Sequence, residues 1–175
     1  MPSNVPDVTD LLAGAQHSAV HLELHDSYAV DYETGPFAEW RAGTRHTPED
    51  RAAWWRPWHD LVASMVARGV AVRRARIVSE PVSEYTRFLY DRSFMILEAG
   101  EQLRWLPRRQ TSGVALPGND FWLIDGQLLY WNHFAGDGSY TGGEVTEEPA
   151  AVKLCADAFE AVWDRAVPHD SYEIR

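Results

Sequence analysis

The stretch from Gly69 to Arg87, GVAVRRARIVSEPVSEYTR, constrains the fold more than any other part of the chain. Val70, Val72, Ile77 and Val78 are strand formers, and Arg73, Arg74 and Arg76 punctuate them. Glycine ends the helix before this run, and Ser79-Glu80-Pro81 ends the strand after it. Val82, Tyr85, Phe88 and Leu89 then recur at spacings of three and four, the period of an amphipathic helix. Helix, buried strand, turn and helix in that order point to an open α/β sheet. Such sheets hold ligand sites where a strand ends and a helix begins. Ser79, Glu80 and Arg87 are therefore candidate site residues.

The remaining segments supply partners for this strand. Val20, Leu22 and Leu24 alternate with His21, Glu23 and His25, which predicts a half-buried strand near 20–25. Further strands are expected near 70–78, 102–106, 120–125, 128–134 and 140–145. Asp125-Gly126 is the turn dipeptide of a hairpin. Asp7 or Thr9 can cap a short first helix, and Asp31 to Arg41 reads as another. A longer helix near 48–68 opens at Thr47-Pro48 and is kinked or restarted by Pro57. Phe94-Met95-Ile96-Leu97 reads as an edge strand or an inward-packed loop, and Arg108 to Gly118 as a loop. The last helix, near 149–166, is capped by Thr146 and carries Val152, Cys155, Phe159, Val162 and Trp163 on one face. Trp58, Leu61, Val72, Ile77, Leu123, Phe159 and Trp163 are expected in the core. The organisation is an N-terminal segment with a short helix over 1–18, then one α/β (or α+β) domain over 19–172, with a mixed central sheet flanked by helices.

Charge narrows the partners. The net charge is −10. Direct nucleic-acid binding and attraction to anionic membranes both need a positive field, so neither is expected. Cys155 is the only cysteine, which excludes an intrachain disulfide and fits a reducing cytoplasm. The N-terminus shows no signal-peptide pattern, and no apolar run reaches the length of a membrane span. Four of the eight tryptophans fall between Trp40 and Trp58. They read either as a core of large rings or as an aromatic groove for a ligand or partner.

Reactive motifs are scarce. There is no phosphate-binding loop, no Gly-x-Gly-x-x-Gly and no nucleophile elbow. Cys155 lies mid-helix, where a nucleophile would be inaccessible. His21-Glu23-His25 has the spacing of zinc ligands on a strand face. With no further ligand cluster nearby it reads as a solvated face, so no metal and no cofactor are expected. What remains is polar and unreactive: Ser79, Glu80, Arg87, Arg104, Asp120 and Asp125 near strand ends, with Tyr85, Trp105 and Trp122 as an aromatic wall. This set reads either as ion pairs that fix strand register or as a recognition site.

Two resemblances add to this reading. The runs GVAVRRARIVSEPVSEYTRF, AGEQLRWLPRR, LPGNDFWLIDGQLL and FEAVWDRAVPHDSY resemble an actinobacterial family of unknown function often encoded beside helix-turn-helix regulators. That resemblance implies a regulatory, antitoxin-like accessory role. More distantly, the element order resembles one half of a phospholipase D-like domain, which carries His-x-Lys-x4-Asp. With Asp125 as that aspartate, Asp120 stands at the lysine position and Gly118 at the histidine position. The resemblance implies the fold and, without the histidine nucleophile, not the reaction. The expectation is a non-enzymatic protein that binds a protein partner, such as a helix-turn-helix regulator. The alternative is a small-molecule sensor or enzyme with its pocket at the strand ends. An exposed aromatic patch would mark the first, and a concave site with convergent polar groups the second.

Overall fold

The computed structural model describes residues 5–175. Its centre is a seven-stranded mixed sheet of order β6-β5-β4-β1-β2-β3-β7. The strands are β1 (Ser18–Glu23), β2 (Ala71–Val78), β3 (Gln102–Pro107), β4 (Asp120–Ile124), β5 (Leu128–Phe134), β6 (Tyr140–Thr146) and β7 (Val167–Pro168). β1, β2 and β3 run parallel, and every other pairing is antiparallel. The arginine-punctuated strand of the 69–87 stretch is β2, held between β1 and β3. The helices are α1 (Val8–Ala13), α2 (Asp31–Arg41), α3 (Arg51–Trp54), α4 (Pro57–Ala67), α5 (Glu84–Arg92), α6 (Phe94–Glu98) and α7 (Pro149–Arg165). α2 to α4 supply the crossover from β1 to β2, and α5 with α6 the crossover from β2 to β3, as parallel strands require.

Six of the seven strands lie within about two residues of where alternation and turn residues place them. β7 was not foreseen: two residues after α7 pair with Arg104 and Trp105. The helix expected over 48–68 is divided. A 3₁₀ turn, Pro48–Asp50, precedes α3, and α4 restarts at Pro57 after Trp55 turns extended. The last helix is capped by Glu148, whose carboxylate accepts from the Ala150 and Ala151 N–H groups; Thr146 instead accepts from Glu148 N. Phe94 to Leu97 is helical, not an edge strand or loop. A four-residue apolar run fits either state, and tertiary contact decides it. Gly100 (φ +98°) follows α6 in the left-handed region that favours glycine, and a Cβ there would meet a Val66 methyl of α4 at 3.0 Å.

Strand alternation sorts the core onto two faces. One face presents Val20, Leu22, Ala75, Ile77, Leu106, Phe121, Leu123 and Leu129 to Cys155, Phe159, Val162 and Trp163 of α7. The other has two separate apolar regions. Ala19, Val72, Trp122, Ile124 and Tyr130 pack with Leu12 of α1 and with Val62 and Met65 of α4. Val78, Leu103 and Trp105 pack with Val82 and Tyr172. Of the residues expected in the core, Trp58 and Leu61 are only partly buried, because Val62 and Met65 form the inward ridge of α4; the other five are buried. Among the described residues, no helix is long and apolar enough to cross a membrane.

Candidate functional site

Between the two apolar regions of that second face runs a charged strip. Register places His21 beside Arg74 and Glu23 beside Arg76. Arg74 donates through Nε to Glu101 Oε1 at 2.5 Å and through Nη1 to Glu23; Arg76 Nε meets Glu23 Oε2 at 2.5 Å. Glu101 is 2% exposed, and its Oε2 has no described partner. The expectation of a solvated His21-Glu23-His25 face is therefore corrected. α2, α5 and α6 cover this side of the sheet, so His21 and Glu23 lie inside. His21 stacks on Trp122 at 4.3 Å. Burial, and then the positive charge of Arg74, push the His21 imidazole down to about 3 and keep it neutral. Burial works against the Glu23 charge too, but Arg76 and Arg74 outweigh it and hold the carboxyl well below the usual range.

The second polar region lies where β1, β2 and β3 end together. Asp26, three residues past β1, accepts from Ser79 N and Ser79 Oγ, each at 2.6 Å. Arg108, just past β3, donates through Nε to Ser79 Oγ at 3.0 Å and through Nη2 to the carbonyls of Leu24 and Ile77. One guanidinium thus ties the ends of β1 and β2 to the end of β3. Beside it opens a concavity of about 360 Å³ lined by Ser79, Glu80, Pro107, Arg108, Arg109 and Ser112. Glu80 accepts from the Tyr172 hydroxyl at 2.9 Å and faces Arg109 at 3.7 Å.

Asp120 sits at the same end of the sheet and is 1% exposed. It accepts from Leu24 N at 3.0 Å and the Tyr28 hydroxyl, and pairs with His25 Nδ1 at 3.0 Å. This hydrogen bond raises the His25 pKa above its ordinary 6.5. A folded value above the unfolded one means the pair stabilises fully below about pH 6.5 and loses that effect as pH rises through the folded value. The ring is two-fifths exposed, so solvent screens the effect. An NMR titration should place the His25 midpoint above 6.5 and return it towards 6.5 or below in Asp120→Asn. A wild-type midpoint at or below 6.5 would mean that the ion pair does not form.

Of the residues singled out from sequence, the structure brings Ser79 and Glu80 together at the concavity, with Asp120 near the same strand ends. It separates the others. Arg87 is exposed on α5. Arg104 points to the opposite face, where it donates to Trp163 O at 2.9 Å and stacks on the Trp163 ring. Asp125 lies at the other end of the sheet and accepts from the N–H groups of Gln16, His17 and Ser18. The aromatic wall is dispersed. Tyr85 bonds Glu33, Trp105 is 0% exposed with its Nε1 donating to His169, and Trp122 lies against His21 and Trp58. Asp26, His25, Arg108, Arg109 and Ser112 were not read as site residues. The available signal was charge just after a strand, in Asp26 after β1 and Arg108-Arg109 after Pro107. It becomes informative only once β1, β2 and β3 are known to be parallel.

A mixed sheet flanked by helices, with polar groups gathered at the ends of its parallel strands, defines a single α/β domain. The structure is similar to a phospholipase D family member, Nuc from Salmonella typhimurium, with a TM-score of 0.52 at 11% identity over 92% of this chain and 87% of that one. It is also similar, at a TM-score of 0.49 and 12% identity, to the archaeal chromatin protein TrmBL2, over 91% of this chain and 48% of that one. No curated protein matches the sequence. The chain belongs to the family described as a domain of unknown function, DUF6879, which matches residues 6–174.

Proposed function

We propose that this protein is a non-enzymatic recognition domain whose site is the concavity at the ends of β2 and β3. The observation that carries this reading is the convergence of Ser79, Glu80, Arg108 and Arg109 on one opening of small-molecule size. Among the described residues, the large exposed apolar side chains are Tyr32, Tyr140 and Leu154; Tyr140 lies edge-on to Phe134, with ring centroids 5.8 Å apart. The groups at the strand ends are held by one another rather than poised to react. Ser79 is occupied by Asp26 and Arg108. Burial pushes the Cys155 thiol up to about 12. The position that the phospholipase D pattern gives to lysine holds buried Asp120, which reverses the charge offered to a phosphodiester.

A thermal-shift screen of charged and neutral metabolites should find a ligand that stabilises the protein in a saturable way. Stabilisation of about 2.7 kcal/mol is expected at a hundredfold excess over Kd. Generic phosphodiesters should not be turned over. Turnover lost in His25→Ala would overturn the non-enzymatic reading. Asp125→Ala is a poor diagnostic, because Asp125 secures the start of β1.

A second reading is a protein partner, such as a helix-turn-helix regulator. What favours it is Tyr32, 77% exposed on α2, whose Phe37 and Trp40 are half-buried against Phe88. The acidic net charge would complement a basic DNA-binding partner. In that case the recognition domain would act as a regulatory accessory, with the strand-end ligand as its signal.

A further inference from the structure

The strand-end opening is less acidic than the chain as a whole. The molecule carries −10, while the opening is lined by Arg108, Arg109 and Glu80, with Asp26 3.5 Å from Arg108. That carboxylate, Glu80, is already engaged by Tyr172 and Arg109, and its side chain is 11% exposed. The cations are more available. Arg109 is 71% exposed, and Arg108 is 38% exposed.

Arg108 is also pre-set. Its Nε is fixed by Ser79 Oγ at 3.0 Å, and its Nη2 by the carbonyls of Leu24 and Ile77, with Asp26 at 3.5 Å. The described contacts use Nε and Nη2 and leave Nη1 without a protein partner. A guanidinium fixed on one edge loses little further freedom when its other edge meets a ligand, which favours affinity. The planar donor fork matches the oxygens of carboxylate and phosphate.

We infer that this opening binds a small organic oxyanion, a phosphate ester or a carboxylate, on the free edge of Arg108 and the guanidinium of Arg109. The inference rests on the reading of the opening as the recognition site. It goes further by naming the ligand's charge: Arg108 Nη1 and the exposed Arg109 guanidinium offer donors only, which an oxyanion satisfies better than a neutral or cationic molecule.

The test is an NMR and calorimetric titration with inorganic phosphate, succinate and glucose at constant ionic strength, since salt alone screens surface charge. Phosphate or succinate should bind saturably, with shifts centred on Ser79, Arg108, Arg109 and Ser112. Whichever of the two binds more tightly assigns the oxyanion. Arg109→Gln, which removes an exposed group and leaves the Arg108 clamp intact, should weaken binding about tenfold with an unchanged melting temperature. Arg108→Lys should weaken it further while keeping the charge, because an ammonium lacks the fork. Glucose binding at these residues, with neither anion binding, would overturn the oxyanion inference and leave the recognition site standing. No binding by any of the three, and no hit in the metabolite screen, would overturn both. Anion binding unaffected by Arg109→Gln, or with shifts elsewhere, would overturn the inference directly.

Discussion

Arg74→Met should lower the free energy of unfolding by about 3–5 kcal/mol, the range for removing one partner of a buried ion pair. Arg74 lies between Glu23 and Glu101, and the Glu101 side chain is 0% exposed. Without the guanidinium, Glu101 must either stay charged with no counter-ion or take up a proton. Methionine keeps much of the side-chain volume, so the effect reports charge rather than a cavity. Urea denaturation measures it. Arg74→Met with Glu101→Gln should recover a large part of the loss, because the stranded charge is gone. A single-variant effect under about 1 kcal/mol, typical of an exposed pair, would mean that water reaches this strip. The same strip sets the response to acid. His21 is held at about 3 in the folded chain against an ordinary 6.5, so the unfolded chain binds more protons between those values. Stability should therefore fall as pH drops from about 6.5 towards 3. Glu23, also depressed, adds to that fall below the usual carboxylate range.

Trp105→Ala should cost about 3–5 kcal/mol as a core truncation. The ring is 0% exposed, lies parallel to Tyr172 with centroids 5.5 Å apart, and donates to His169 Nδ1 at 3.0 Å. It joins β3 to the C-terminal segment that follows α7, so removing it loosens two parts of the molecule at once. Trp105→Phe should cost less, since it keeps an aromatic ring on Tyr172 and loses only the indole donor. A change under about 1 kcal/mol in Trp105→Ala would mean that the C-terminal segment does not dock as described. Any partner or ligand lost in this variant would report damaged packing. Arg109→Gln is the cleaner probe of recognition, because its side chain is exposed.

Local pattern carried far in this chain. The alternation of Val20, Leu22 and Leu24 with His21 and Glu23, the Asp125-Gly126 turn and the spacing of Phe159, Val162 and Trp163 each encode an element within a few neighbouring residues. Asp125 takes a positive φ of 50°, as a tight hairpin turn requires, and that need is visible in the dipeptide itself.

Burial of charge was not legible. His21-Glu23-His25 reads the same whether water or α2 and α5 lie above it, since alternation marks two faces without saying what covers the polar one. Only the parallel register of β1 and β2 sets Glu23 beside Arg76 and His21 beside Arg74, and only the third strand brings Glu101 to close the group. The candidate site has the same origin. Asp26, Ser79 and Arg108 are separated by 53 and 29 residues in sequence and meet because three parallel strands end at one edge. Sequence determined most of the elements, since hydrophobic period and turn chemistry act over a few residues; the state of residues 94–97 and the pairing of β7 waited on tertiary contact. Tertiary structure alone decided which charges are buried and which strand ends meet, since both depend on pairings between residues that the chain places far apart.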